Sequence, residues 1–256
     1  HGTLGAVMTV PAVLSLTSID VATSSSDLAW QAAAEGAPAG TAFLVGEQTA
    51  GRGRRGSGWS SARGGMYLSV ILRPQADASA LWGLSFVAAL AIRETIAERL
   101  PDQEVGLKWP NDVVVAGGKI CGLLLEARDG AVVIGTGVNI APVPAVPGAR
   151  LPAISLRDLG DAAATPAMLA EAYAKRLLAG AASWERDGFS AVRLEWLRHC
   201  AHIGARMKVI TGGAGSDVAV EGDFVDLGTD GALVLRNDKD AERRITTGDV
   251  ELTGRL

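Results

Sequence analysis

The chain has 256 residues, 48% hydrophobic and 20% charged, a balance that suits one large or two modest globular domains and excludes intrinsic disorder. A formal net charge of -4 and a pI near 5.5 argue against nucleic-acid binding through bulk charge. Gly, Arg or Glu break every apolar run well short of the roughly 18 residues of a membrane span, so no transmembrane helix is expected.

Residues 1–12 open with His1-Gly2-Thr3 and read as a leader or tag remnant, with Met8 a candidate native start. No basic n-region precedes an apolar core, so a secretory signal is not expected. Cys121 and Cys200 form no metal-like pair and read as reduced thiols of a cytoplasmic protein.

Residues 13–21 predict a strand, followed by the hydroxyl run Thr23-Ser24-Ser25-Ser26 and a helical pattern from Leu28. Ser26 is the expected N-cap, with Asp27 in the first turn. Residues 41–47 predict a short buried strand that delivers Gln48-Thr49-Ala50-Gly51-Arg52-Gly53-Arg54-Arg55-Gly56-Ser57-Gly58-Trp59. Glycine frees the backbone there for close approach, and the guanidinium forks of Arg52, Arg54 and Arg55 suit carboxylate or phosphate. From Gln48 to Ala76 there are five arginines and no acidic residue, a sign reversal in a protein of net charge -4. An anionic ligand explains it; a solvated turn or a nonspecific phosphate patch is the plainer alternative.

Residues 66–72 predict a further strand, and residues 79–100 carry apolar side chains at helical spacing up to Pro101. A helix this apolar on one side needs a sheet to cover. Residues 105–109 and 112–115 read as strand pieces around Pro110, and residues 119–127 and 131–137 as a hairpin across Arg128-Asp129-Gly130. Gly135-Thr136-Gly137 is no dinucleotide fingerprint, because residue 140 is Ile where the third glycine belongs. After a loop marked by Pro142, Pro144 and Pro147, Thr165 caps and Pro166 opens a helix to about Arg186; a second spans residues 189–199. The tail predicts short strands at residues 205–210, 217–226, 232–236 and 242–246, the spacing of a small β-barrel. Gly212-Gly213-Ala214-Gly215 fits a hairpin turn of that barrel better than a phosphate loop.

Four stretches in order, Gly51-Arg52-Gly53-Arg54-Arg55-Gly56, Lys108-Trp109-Pro110-Asn111-Asp112, the run from Gly118-Lys119 through Gly122 to Glu126, and Gly135-Thr136-Gly137-Val138-Asn139, resemble the biotin protein ligase family. The resemblance covers roughly residues 14–256. It implies an α+β fold: a mixed, mainly antiparallel sheet with helices on one face, of the class II aminoacyl-tRNA synthetase-like, biotin/lipoate ligase type, followed by a small SH3-like β-barrel. The implied division is a catalytic ligase domain at 13–200 and the barrel at 201–256. The short arm leaves no room for the DNA-binding domain of some members, so a cytoplasmic monomer or homodimer without DNA or membrane partners is expected.

The implied chemistry is activation of biotin by ATP to biotinyl-5'-AMP, then transfer to a lysine of a biotin carboxyl carrier protein, with Mg²⁺ accompanying ATP. Ser24, Ser25 and Ser26 stand where the family reads Ser-Thr-Asn, and with Gln48, Gly51, the backbone of Arg52 and Gly122 they are expected at biotin. Arg54 is expected to clamp the biotin carboxylate and then the α-phosphate, Arg52 to close over the intermediate, and Arg55 to lie nearer the triphosphate. Lys119 is expected where charge develops, its alternative being a snorkelling surface lysine. Trp59, Lys108, Asn111 and Asn139 are expected on the ATP side. Trp59 and Trp109 are candidates to wall the pocket, with ordinary buried packing as the default. Asp112 is a candidate Mg²⁺ ligand, a base for the incoming amine, or half of a structural ion pair. A lipoate-protein ligase is the near alternative, disfavoured because no histidine follows the arginine loop; a noncatalytic nucleic-acid-binding module is the distant one.

Overall fold

The computed structural model describes residues 12–144, 149–211 and 218–252. All but the last residue of the expected leader, and the turn expected at 212–215, lie outside the described residues.

The main body is a seven-stranded sheet in the order β1-β2-β3-β7-β6-β5-β4. Its strands are β1 (Ser15–Ala22), β2 (Thr41–Gln48), β3 (Met66–Leu72), β4 (Val105–Lys108), β5 (Asp112–Val115), β6 (Gly118–Arg128) and β7 (Ala131–Val138). Only β1 and β2 run parallel, as the intervening helix α1 (Ser25–Ala34) requires of a crossover. The β6–β7 hairpin turns where expected, with Asp129 and Gly130 both at positive φ (48° and 73°), as a two-residue turn that matches strand twist demands.

The two faces of the sheet carry different cargo. Leu68, Val70 and Leu72 of β3 and Ile134 of β7 join the main core with helices α2 (Gly83–Arg99), α3 (Pro166–Asp187) and α4 (Phe189–Arg198). Ile71 and Val133, one residue out of phase, meet Ala29 and Ala33 of α1 on the opposite face. So α1 covers only part of its face, and the rest of that face is open to hold a ligand.

Two helix starts differ from expectation. Ser24, not Ser26, caps α1: its hydroxyl accepts from the Asp27 N–H at 3.1 Å. Ser25 and Ser26 instead share hydrogen bonds with Ser69 on β3, at 2.8 and 3.1 Å. The helix expected from residue 79 begins at Gly83, after a separate 3₁₀ turn at Ala78–Ala80. There α3 comes so near that a Cβ on Gly83 would stand 2.7 Å from Trp184 Nε1. The Thr165 cap and Pro166 at the start of α3 are as expected, with Thr165 Oγ1 accepting from Met168 N–H at 3.3 Å.

The tail forms a five-stranded antiparallel sheet in the order β11-β10-β9-β8-β12, made of β8 (Arg206–Thr211), β9 (Val218–Leu227), β10 (Leu233–Arg236), β11 (Glu242–Ile245) and β12 (Asp249–Leu252). Strands β11 and β12 are its two edges, and β12 extends the sequence-based expectation. Its Met207, Phe224, Leu233 and Val250 belong to the same buried cluster as α2 and α4, so the small sheet packs against the helical layer of the main body.

Candidate active site

Strand register lays the site out in rows across the open face. One row runs Lys108, Asp112, Gly122, Gly137, Tyr67 through successive ladders from β4 to β3. The next row on that face is Leu124, Gly135, Ser69. Three glycines therefore remove side chains from the middle of the face and leave a cavity of about 680 Å³, within the usual range for small-ligand sites.

The rim of that cavity separates two chemistries. At one side lie Ser24, Ser25 and Ser26, all buried, at the N-terminus of α1 beside Gln48. Gln48 Oε1 accepts from the Ser25 N–H at 2.7 Å, and its Nε2 donates to Ser61 Oγ at 2.7 Å. At the other side Lys108 and Lys119 flank Asp112, the acidic residue among the described lining, and Arg52, Arg54, Arg55 and Arg150 of two loops also face the cavity. Such an excess of cations around a half-enclosed space suits an anion, since it is neutralised in place without solvent reorganisation.

Lys119 reaches this face through an irregularity. The β5–β6 register slips between Val113 and Val114, so Val113 pairs with Cys121 but Val114 with Lys119. The extra residue turns Lys119 to the side of Gly122, whose added Cβ would lie 3.3 Å from Lys119 Cε. Lys119 Nζ stands 2.6 Å from Asp112 Oδ1, and Lys108 Nζ 3.8 Å from Asp112 Oδ2. Asp112 is thus held between two ammonium groups, with Oδ1 on Lys119 and Oδ2 facing Lys108.

The arginine loop is a flap. Arg52 and Gly58 form an antiparallel bridge, Trp59 N–H donates to Gly51 O at 2.9 Å, and Gly53 N–H to Ser57 O at 2.7 Å. Its tip is a 3₁₀ turn at Arg54–Gly56, with Arg55 at φ 53°. Trp59 lies flat on the glycine floor: a Cβ on Gly137 would be 2.6 Å from its Cε2, and one on Gly122 2.7 Å from its Cζ3. Its indole nitrogen is buried without a partner, and Lys119 Nζ stands 5.2 Å from the ring centre. Arg54 Nη1 donates to Gly248 O of the small sheet at 3.5 Å, and Val250 also lines the cavity.

Of the residues singled out from sequence, all but Gly51 and Trp109 line the cavity. Gly51 lies beneath the flap, where a Cβ would strike Ser61 Oγ and Trp59 O, at 2.4 and 2.6 Å. Asn111 and Asn139 are there as ties: Asn111 Nδ2 donates to Leu123 O at 2.5 Å, and Asn139 Nδ2 to Lys119 O and Ile154 O, both at 3.2 Å. Trp109 is not at the cavity; it is buried towards the small sheet. Sequence reasoning missed Ser61, Tyr67, Ser69 and Arg150 and the floor role of Gly135 and Gly137. No local signal marks these, because each acquires its place from strand register or a loop crossing.

Two pKa shifts bear on the chemistry. The Arg52 guanidinium holds the Asp27 carboxyl below its ordinary value. Burial pushes the Cys121 thiol far up, so it stays protonated and is no nucleophile, although it adjoins the site.

Residues 19–139 match the model of the Biotin/lipoate A/B protein ligase family. A biotin--[acetyl-CoA-carboxylase] ligase of Paracoccus denitrificans is 37% identical over 202 residues, covering 75% of this chain and 82% of that protein. The Mycobacterium tuberculosis enzyme of the same name is 35% identical over 209 residues, covering 80% and 77%. The biotin protein ligase of Aquifex aeolicus, solved with biotin and ATP, aligns with a TM-score of 0.80 over 93% of this chain and 97% of that one; at 23% identity it speaks for the fold alone. The Leishmania major biotin protein ligase, solved with biotinyl-5-AMP, is 26% identical with a TM-score of 0.65, covering 91% and 98%.

Proposed function

We propose, because the chain belongs to the biotin protein ligase family, that it activates biotin with ATP to biotinyl-5'-AMP and transfers biotin to a lysine of a biotin carboxyl carrier protein. The observation that carries this reading is the divided rim, neutral hydroxyls and an amide at one side and cations at the other, over a floor of glycine. A uncharged bicyclic ring with a carboxylate tail matches that division. Residues 13–200 are read as the ligase domain and 201–256 as a small appended domain, in a cytoplasmic enzyme.

Ser24, Ser25, Ser26 and Gln48 are assigned to the ureido end of biotin, where hydroxyls and a side-chain amide can both donate and accept. Arg54 and Lys119 are assigned to the carboxylate and the α-phosphate. In the first step a biotin carboxylate oxygen attacks the α-phosphorus and pyrophosphate leaves. Fixed cations stabilise the charge that develops, and no covalent enzyme intermediate is needed. In the second step an acceptor amine attacks the acyl carbon and AMP leaves, and the amine loses a proton. Asp112, the acid of the described lining, is assigned to that proton.

A Mg²⁺ ion fits as a passenger of ATP. Among the described residues no group of three candidate ligands occurs. Asp112, the single carboxylate of the described lining, would complete an ion held mainly by phosphates, in exchange for part of its pairing with Lys119. Such an ion would supply further neutralisation of the phosphates.

Biotin-dependent exchange of pyrophosphate into ATP tests the reading. Exchange with biotin and not with lipoate is expected. Exchange with lipoate alone would move the chain to the lipoate branch, and exchange with neither would end the adenylation reading.

A further inference from the structure

At the mouth of the cavity Arg52 Nη2 lies 2.7 Å from Asp27 Oδ1. Arg52 is the first stem residue of the flap, locked to Gly58 on the other stem, and Asp27 sits in the first turn of α1. The pair thus ties the flap to the helix whose first residues, Ser25 and Ser26, reach the cavity. The helix start is itself anchored, through Ser24 to the Asp27 N–H and through Ser25 and Ser26 to Ser69. Asp27 is outside the residues that line the cavity, whereas Arg52 is among them. Further out on the same rim, Glu126 accepts from Trp30 Nε1 at 3.1 Å and pairs with Arg128 at 3.1 Å. Arg52 feels the charge of Glu126, and Asp27 that of Arg128, so signs alternate around the rim.

We propose that Asp27 is a positioning residue, a charge latch that holds the arginine flap down over the cavity through Arg52 and so sets how long the reactive intermediate is retained. The proposal rests on the adenylation reading for the intermediate, and on geometry alone for the latch. The flap needs such a tie because glycine-rich backbone with repelling arginines favours the open, solvated state. A mixed anhydride needs a shut mouth, since water entering the cavity would hydrolyse it. Arg52 then acts on the ligand chiefly by being where Asp27 keeps it. The two side chains are 39% and 41% exposed, so the latch is of modest strength and can open at each turnover.

The test compares wild type, Asp27→Asn and Asp27→Glu; the position is partly exposed, and a matched melting temperature checks that both variants fold. First, the ligand-free proteins are digested with trypsin and cleavage after Arg52, Arg54 and Arg55 is timed by mass spectrometry. Asp27→Asn should be cut roughly two- to five-fold faster, the span that an exposed ion pair contributes, while Asp27→Glu stays near wild type. Second, biotinyl-5'-AMP is bound and its release chased with excess biotin. Release should speed up by a similar factor in Asp27→Asn and be restored in Asp27→Glu. Equal cleavage in wild type and Asp27→Asn overturns the latch, as does equal acceleration by both substitutions, which would make the effect steric. Faster cleavage with unchanged release overturns the retention role. A wild type that binds no biotinyl-5'-AMP overturns the adenylation reading instead, and leaves the cleavage result to judge the latch by itself.

Discussion

Trp109 donates its indole N–H to the carbonyl of Gly231 at 3.1 Å, from the turn between β4 and β5 into the turn between β9 and β10. Its neighbours Lys108 and Pro110 line the cavity, while Trp109 points the other way, across a cis peptide bond to Pro110. The Gly231 turn is itself tightly seated: at φ 74°, an added Cβ would lie 2.7 Å from the Trp82 ring. The small sheet therefore grips the stretch that carries Lys108 and Asp112.

Trp109→Phe should keep the packing and lose the hydrogen bond, leaving a buried carbonyl unpaired at a cost of about 1–3 kcal/mol. The control is Arg193→Gln, which breaks a second tie of the small sheet, the pair at 2.6 Å between Arg193 of α4 and Asp226 of β9, without touching the cavity. Both should lower the melting temperature. Only Trp109→Phe should also slow adenylate formation, and equal slowing would make Trp109 an ordinary packing residue.

Gly137→Ala should place a methyl group against the Trp59 ring and lift it off the floor. Overpacking of this kind costs about 1–3 kcal/mol. Biotin should bind roughly ten-fold or more weakly, measured by calorimetric titration, and the melting temperature should fall by several degrees at most, since the flap side chain can yield. Undiminished affinity would show that the ligand ring does not use this floor.

Lys119→Ala should lower the rate of adenylate formation by about 10²–10³ while weakening biotin binding far less, because its charge is matched to the transition state. Single-turnover kinetics with the intermediate quenched and quantified separates the two. An unchanged single-turnover rate would return Lys119 to a structural pairing with Asp112.

Asp161 reports on stability away from the site. Arg99 donates to both its oxygens, at 2.7 and 2.6 Å, joining the end of α2 to the loop before α3, and this holds the Asp161 carboxyl below its ordinary value. A depressed folded-state pKa contributes stability that is complete above the unfolded value near 4 and lost as pH falls through the folded value. Asp161→Asn should therefore destabilise by about 1.5–3 kcal/mol at pH 7, as expected for charge-assisted bonds to a carboxylate only 7% exposed. Urea melts should show the gap to wild type closing as pH drops below about 4. A gap independent of pH would mean that shape, not charge, holds this corner.

Much of the molecule was legible because its causes are local. Thr165-Pro166 starts α3 through one hydroxyl and one fixed φ, and Asp129-Gly130 turns the β6–β7 hairpin through two positive φ values, wherever the rest of the chain goes. The cationic site residues were legible for a related reason: the chemistry of an anion pocket is written in charge and glycine spacing, which need no coordinates. What tertiary structure decided is which way those residues face and what holds them. A slipped register between Val113 and Val114 turns Lys119 onto the floor of the site, since side chains alternate with a period of two and one extra residue reverses the face. Ser69, 43 residues from Ser26, draws Ser25 and Ser26 away from capping and leaves Ser24 to do it. Gly135 and Gly137 matter because ladder partners align them with Ser69 and Tyr67. Asp27 and Arg52 meet only when the flap folds back on α1. Each of these depends on distances between segments remote in the chain, and side-chain identity alone carries no record of them.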